Sequence, residues 1–204
     1  MKGLNLRTLT CKPNAAVARA SQSSGYSLHL AFYLKMDLKQ NYFELFQSEP
    51  GFDVDLSELA SRYRELQKTA HPDRFVTGTD QEKRFSAQMT SRINEGYDTL
   101  KHPLKRAIYL LDQAGVEIEH NPTLDPMFLM EQIELREEME DIGEAGEDGL
   151  PRLDEFRSKG KAVLVSLEAE FVKAYPASLP DAEQAVYKMQ FIHKLLSEAK
   201  HLDY

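Results

Sequence analysis

Three consecutive residues, His71-Pro72-Asp73, are the first candidates for chemistry in this chain. An imidazole and a carboxylate are the groups that move protons in general acid–base catalysis. That chemistry also needs a nucleophile or a second carboxylate, and no Ser or Cys stands near the trio in sequence. A different use fits these residue types better. Pro72 fixes its own φ and restrains His71, so the loop is pre-organised and loses less entropy on binding. Asp73 is an anion on a tight turn, suited to a charge-assisted hydrogen bond with a cationic group of a partner. The trio therefore reads as a recognition loop. The other histidines considered, His102, His120, His193 and His201, show no metal-ligand spacing and read as surface or cap residues. Cys11 is the only cysteine, which excludes a disulfide framework and a thiolate zinc cluster within one chain and favours a reducing compartment. No metal, no cofactor and no covalent chemistry are expected.

The elements that must hold this loop are helical. No segment from Met36 on keeps a two-residue alternation, so no sheet is expected. A short helix is expected at about Asn41–Phe46, broken by Ser48-Glu49-Pro50-Gly51. Asp55 or Ser57 caps the next helix, with Glu58 in its first turn. Leu56, Leu59, Ala60, Tyr63, Leu66 and Ala70 recur at three- and four-residue steps and make one apolar stripe, which Pro72 ends. After a loop to Thr79, a helix from Asp80 to about Leu100 carries Phe85, Met89, Ile93, Tyr97 and Leu100 on one face. Pro103 opens another helix, ending near Gly115, whose Leu104, Ala107, Ile108, Leu110 and Leu111 form a surface broad enough to pack on both halves of the chain. A linker is expected over 113–124, centred on Asn121-Pro122. Three further helical patterns follow, at about Asp125–Ala145, Pro151–Tyr175 and Asp181–Leu202, separated by Gly146 to Gly149 and Pro176 to Pro180. Three helices with short connections make a bundle.

Basic residues flank the loop. At 100° per residue Arg64 and Lys68 share one side of the helix, away from its apolar stripe. Arg62 lies on the opposite flank, and Arg74 follows the loop. With Tyr63-Arg64-Glu65-Leu66 upstream and Ile93-Asn94-Glu95-Gly96-Tyr97 and Leu100 downstream, the span from Asn41 to Tyr109 resembles a J-domain, the helical hairpin that recruits and stimulates ATPases of the DnaK and HscA type. The resemblance implies that His71, Pro72 and Asp73 contact the ATPase and couple to its hydrolysis. Arg62, Arg64, Lys68 and Arg74 would then steer an acidic surface of that partner, an effect felt mainly in the on-rate. One departure is visible: many J-domains have an aromatic residue just before the loop, and here it is Ala70.

The segment Phe128–Glu138, FLMEQIELREE, carries two apolar stripes. Phe128, Leu135, Met139 and Ile142 cluster on one side. Leu129, Met130 and Ile133 fall on the other, beside Glu134, Glu137 and Asp141. A bundle helix needs one buried stripe. The second is either core against another neighbour or an exposed apolar patch rimmed by acids, the composition of a binding site. Methionine suits such a patch because its side chain adapts to irregular surfaces.

Taken with Leu104–Leu111 (LKRAIYLL) and the closing Phe191-Ile192-His193-Lys194-Leu195, the span Met36–Tyr204 resembles HscB, the J-protein family of iron–sulfur cluster assembly. That resemblance implies an all-α fold, L-shaped, with an N-terminal J-domain over 36–112 joined to a C-terminal three-helix domain over 125–204. It implies two partners, an HscA-type heat-shock ATPase and an IscU-type scaffold, the latter gripped by Leu129, Met130, Ile133, Glu134, Glu137, Asp141 and Phe191. Asp141 stands where the family can carry Glu. A general J-protein, delivering other clients to a DnaK-type chaperone, is the alternative; its usual Gly/Phe-rich or zinc-binding substrate region is not found.

Charge and hydropathy narrow the partners further. The net charge of −8 argues against general nucleic-acid binding. No apolar run approaches the ~20 residues that span a bilayer, so no membrane partner is expected. The charge is uneven: residues 1–35 hold five Lys/Arg and no Asp/Glu, leaving −13 on the remaining 169. Two readings of this stretch stand. It is an acidic-poor transit peptide, placing the protein in the mitochondrial matrix. Or it is a stretch upstream of a natural first residue at Met36, where the resemblance begins, and the protein is cytoplasmic. The second is favoured, since the extra cysteine pairs of eukaryotic relatives are missing. Either way residues 1–35 are expected to be a disordered extension.

Overall fold

Capping residues set the first helices. Asn41 and Glu44 form a capping box (2.8 and 3.1 Å) that opens α1, Tyr42–Phe46. Asp55 accepts the backbone N–H groups of Ser57 and Glu58 (2.8 and 3.0 Å) and opens α2, Leu56–Ala70. Thr79 and Glu82 repeat the box ahead of α3, Asp80–Lys101. Pro103 opens α4, Pro103–Gln113. The computed structural model describes residues 39–119 and 125–202. The extension 1–35, His120 and the Asn121-Pro122 centre of the expected linker lie outside them, while 116–119 form no regular element. Three longer helices complete the chain: α5 Pro126–Glu144, α6 Leu150–Ala174 and α7 Leu179–Ala199. The described residues contain no strand, and the chain is all-α as expected.

α2 and α3 pack as a hairpin, with α1 against both. Tyr63 stacks on Tyr97 with ring centroids 4.1 Å apart, and its hydroxyl donates to Asn94 Oδ1 at 2.9 Å. Gln67 adds bonds to Tyr63 and Asn94. The residues flanking the loop in sequence are thus its braces in space. Gly96 sits where α1 crosses α3: a Cβ there would come within 2.9 Å of Tyr42 and 3.0 Å of Phe46.

Two expectations change. Leu56, counted in the α2 stripe, is 51% exposed, because only Leu59 and Ala70 are fully buried on that helix. On α3 the buried line is Ser86, Met89, Ile93, Gly96 and Leu100, rotated so that Phe85 and Tyr97 flank it. Two small residues occupy buried positions, since neighbouring elements approach the backbone there.

In the second half Ile142, Leu153, Phe156, Leu195 and Ala199 form one buried cluster. Leu164, Leu167, Met189 and Ile192 form another. α4 connects the halves. Leu104 packs on the second bundle cluster, while Tyr109 stacks on Tyr42 of α1 at 4.7 Å. Burial and the Glu95 carboxylate push the Tyr42 hydroxyl up to about 12. Arg106 is buried, with its guanidinium 4.9 Å over the Phe52 ring, and Phe52 lies 5.2 Å from Phe171 of α6. Burial pulls the Arg106 guanidinium down, and the charges of Glu168 and Asp53 push it back up. Sequence reasoning passed over this arginine because a charged residue in an apolar run usually marks a solvated face.

Candidate functional site

At the end of α2 the backbone leaves the helix at His71, with ψ 130°, as the following proline demands. The stretch expected as plain loop contains one 3-10 turn, Pro72–Phe75. Phe75 is 3% exposed, and the turn packs on α3. This anchor was missed because one aromatic in a polar stretch has no periodic signature. Ala70 is fully buried, and its carbonyl accepts from Ser86 Oγ at 2.6 Å and Thr90 Oγ1 at 3.1 Å. Two α3 hydroxyls thus hold the end of α2, at the position where many J-domains place an aromatic ring.

The trio itself faces water. The Asp73 N–H donates to His71 Nδ1 at 3.3 Å, and His71 Nδ1 lies 3.6 Å from Asp73 Oδ2. Accepting at Nδ1 leaves the proton of a neutral imidazole on Nε2. The Asp73 side chain is 86% exposed, ready to accept from a partner's cation. Arg74 donates to the Lys68 carbonyl at 3.2 Å, and Gln67, Lys68, His71 and Arg74 line one shallow, open depression. Arg64 is exposed on the same helix. Arg62 is held by its own helix, 3.9 Å from Glu58 and 3.5 Å from Glu65, pairs of small energetic weight.

The second apolar stripe of α5 is exposed. Phe128 and Ile142 are buried, and Leu135 and Met139 pack on the bundle clusters. Leu129, Met130 and Ile133 are 43%, 59% and 57% exposed. Glu134, Glu137 and Asp141 are exposed on the same helix. Phe191 of α7 is half-buried. It meets Phe128 edge-on at 5.8 Å, and the Arg136 guanidinium lies 5.6 Å from its ring centre. Arg136 also pairs with Glu198 at 3.8 Å. Met127, outside the segment singled out in sequence, is 68% exposed one turn before Met130. The three-residue step from Met130 is the signal that would have found it.

No three His, Cys, Asp or Glu side chains among the described residues are placed to hold a metal, and no described helix is long and apolar enough to cross a membrane.

Comparison with known proteins agrees with both halves. A family model described as the HSCB C-terminal oligomerisation domain matches residues 124–200. The chain is 45% identical over 163 residues to a Vibrio vulnificus (strain YJ016) protein named co-chaperone protein HscB homolog, a match covering 78% of this chain and 94% of that one. Among solved structures it is similar to the chaperone HscB from Vibrio cholerae, with TM-score 0.73, 39% identity, and coverage of 80% of this chain and 98% of that one. It is also similar to the human co-chaperone protein HscB, with TM-score 0.74 and 30% identity over 81% of this chain and 83% of that one. With a hairpin that presents His71-Pro72-Asp73 and relatives matched over nearly their whole length, this chain belongs to the HscB family of co-chaperones.

Proposed function

We propose that the protein is a two-ended adaptor in iron–sulfur protein maturation. The His71-Pro72-Asp73 loop, with Arg64, Lys68 and Arg74 beside it, engages an HscA-type heat-shock ATPase and stimulates its hydrolysis. Arg62 contributes at longer range. Leu129, Met130 and Ile133, rimmed by Glu134, Glu137 and Asp141 and closed by Phe191, grip an IscU-type scaffold. Carrying both on one chain raises the effective concentration of scaffold at the chaperone. The adaptor itself makes and breaks no covalent bond, needs no cofactor and works in the cytoplasm. The observation that carries this reading is the exposed stripe of α5. Three large apolar side chains of one helix stay in water beside carboxylates, while the opposite stripe fills the core.

Two measurements test the ends separately. Asp73→Asn removes the anion and leaves the loop's backbone as it is. Steady-state stimulation of the partner ATPase falls at least tenfold, whereas scaffold affinity by calorimetry stays within twofold. The paired substitution Leu129→Ala and Met130→Ala does the reverse, weakening scaffold binding by a factor of ten or more. Normal stimulation by the first variant, or normal scaffold titration by the second, removes the assignment of that end. Phe191→Ala is a poorer probe, because this ring also packs on both bundle clusters.

A further inference from the structure

The methionines of the described residues fall into two groups. Met89 and Met189 are fully buried, and Met139 is half-buried against a bundle cluster. Met127 and Met130 are 68% and 59% exposed. They stand three residues apart, so they are neighbours on one face of α5. Met130 lies inside the patch of Leu129, Met130 and Ile133, and Met127 lies at its edge. Among the described residues, exposed thioethers therefore occur only on the surface that grips the scaffold.

Leucine would supply a similar apolar area there. Methionine differs in one reactive atom, because its sulfur takes oxygen from a two-electron oxidant and a leucine carbon does not. The charges of the patch select among oxidants. Glu131 and Glu134 stand one turn beyond Met127 and Met130, with Glu137 and Asp141 after them, all exposed. Their field opposes anionic oxidants and leaves a neutral peroxide free to approach. In that reaction the sulfur lone pair attacks one peroxide oxygen. The S–O bond forms as the O–O bond breaks. Sulfur gives up two electrons, and the second oxygen leaves with both hydrogens as water.

We propose that Met130, with Met127 beside it, is a modification site for a neutral hydroperoxide, and that the resulting sulfoxide releases the scaffold. The inference rests on the reading of this patch as the scaffold's docking surface. A sulfoxide carries a strong dipole that needs a hydrogen-bond partner once it is covered, whereas the patch offers its partner apolar side chains. The fold is spared, since both thioethers face water while Met89 and Met189 are shielded. The His71-Pro72-Asp73 loop holds no sulfur, so the ATPase end stays competent while the scaffold end is switched off. The step is reversible: sulfoxide and a dithiol give thioether, disulfide and water on a methionine sulfoxide reductase.

The full chain, treated with hydrogen peroxide, cleared of it by catalase and titrated with an IscU-type scaffold in a calorimeter, tests this. Peptide mass mapping is expected to find an added oxygen on Met127 and Met130 before Met89 or Met189, with helix content by circular dichroism unchanged. Scaffold affinity falls by about tenfold or more. ATPase stimulation measured without scaffold stays within about twofold. Methionine sulfoxide reductase with dithiothreitol restores the affinity. The chain carrying Met127→Leu and Met130→Leu, compared only with itself before and after peroxide, loses none of its own affinity. A chain oxidised at both positions that titrates normally overturns the proposal. So does a loss that the reductase does not reverse, or an equal loss in the leucine chain, which would place the damage elsewhere, Cys11 included. Failure of the underlying reading looks different: the untreated chain then binds scaffold equally well with Leu129→Ala and Met130→Ala. That result removes the patch and this proposal together, whereas the others remove this proposal alone.

Discussion

At the scale of single residues, the loop is exposed but not loose. Its two ends are held from below: Ala70 by hydroxyls reaching from α3, and Phe75 by burial against that same helix. Between them His71, Pro72 and Asp73 project into water with their backbone fixed by the proline ring and by the bond from the Asp73 N–H to the imidazole. This division is what recognition requires, because a partner then loses little entropy in ordering the trio. Ser86 is the most buried polar part of the support, at 1% exposure. Ser86→Ala deletes one of two donors to the Ala70 carbonyl, and the loss is expected near 1 kcal/mol. Urea unfolding measures it, and ATPase stimulation falls less than it does for Asp73→Asn, since the chemistry of the loop is untouched.

At the scale of elements, the α2–α3 hairpin and α1 depend on one close approach. Gly96→Ala drives a methyl group against the Tyr42 and Phe46 rings, and overpacking of this kind costs about 1–3 kcal/mol. Thermal unfolding of the variant checks this. Much of this level was legible in sequence, since Asp55, Pro72 and Pro103 act through local backbone chemistry that needs no tertiary partner. The 3-10 turn at Pro72–Phe75 was not, because burial of one phenylalanine against a distant helix decides it. Nor was the rotation of the α3 stripe: Ser86 and Gly96 are buried because of what crosses them, and periodicity counts apolar side chains only. The α5 helix is intermediate. Its two stripes and their members were visible in the sequence. Only the positions of α6 and α7 decide that the Phe128–Ile142 stripe turns inward and the Leu129–Ile133 stripe outward.

At the scale of the whole molecule, α4 ties the loop-bearing hairpin to the bundle. Leu104 packs on Leu164, Leu167, Met189 and Ile192, while Ala107, Leu110 and Leu111 are buried. The Tyr175 hydroxyl donates to the Leu110 carbonyl at 3.4 Å, and the Glu119 N–H donates to the Tyr187 hydroxyl at 2.9 Å. Arg106 lies over the Phe52 ring and within the field of the Glu168 charge. Arg106→Met keeps an unbranched apolar stem and removes the charge. Burial already holds Glu168 above the usual carboxylate range, and without Arg106 its ionised form loses the nearest compensation. A loss of about 2 kcal/mol is expected, measured by chemical denaturation at neutral pH. Phe191 has a consequence of a different kind. The ring packs on both bundle clusters and still keeps part of its surface in water, so covering that surface and stiffening the bundle are linked. A partner that binds only the folded bundle and covers the outer half of this ring shifts the opening equilibrium of the helices behind it. Docking would register as slowed amide exchange along α5 and α7, in peptide groups that no partner atom touches.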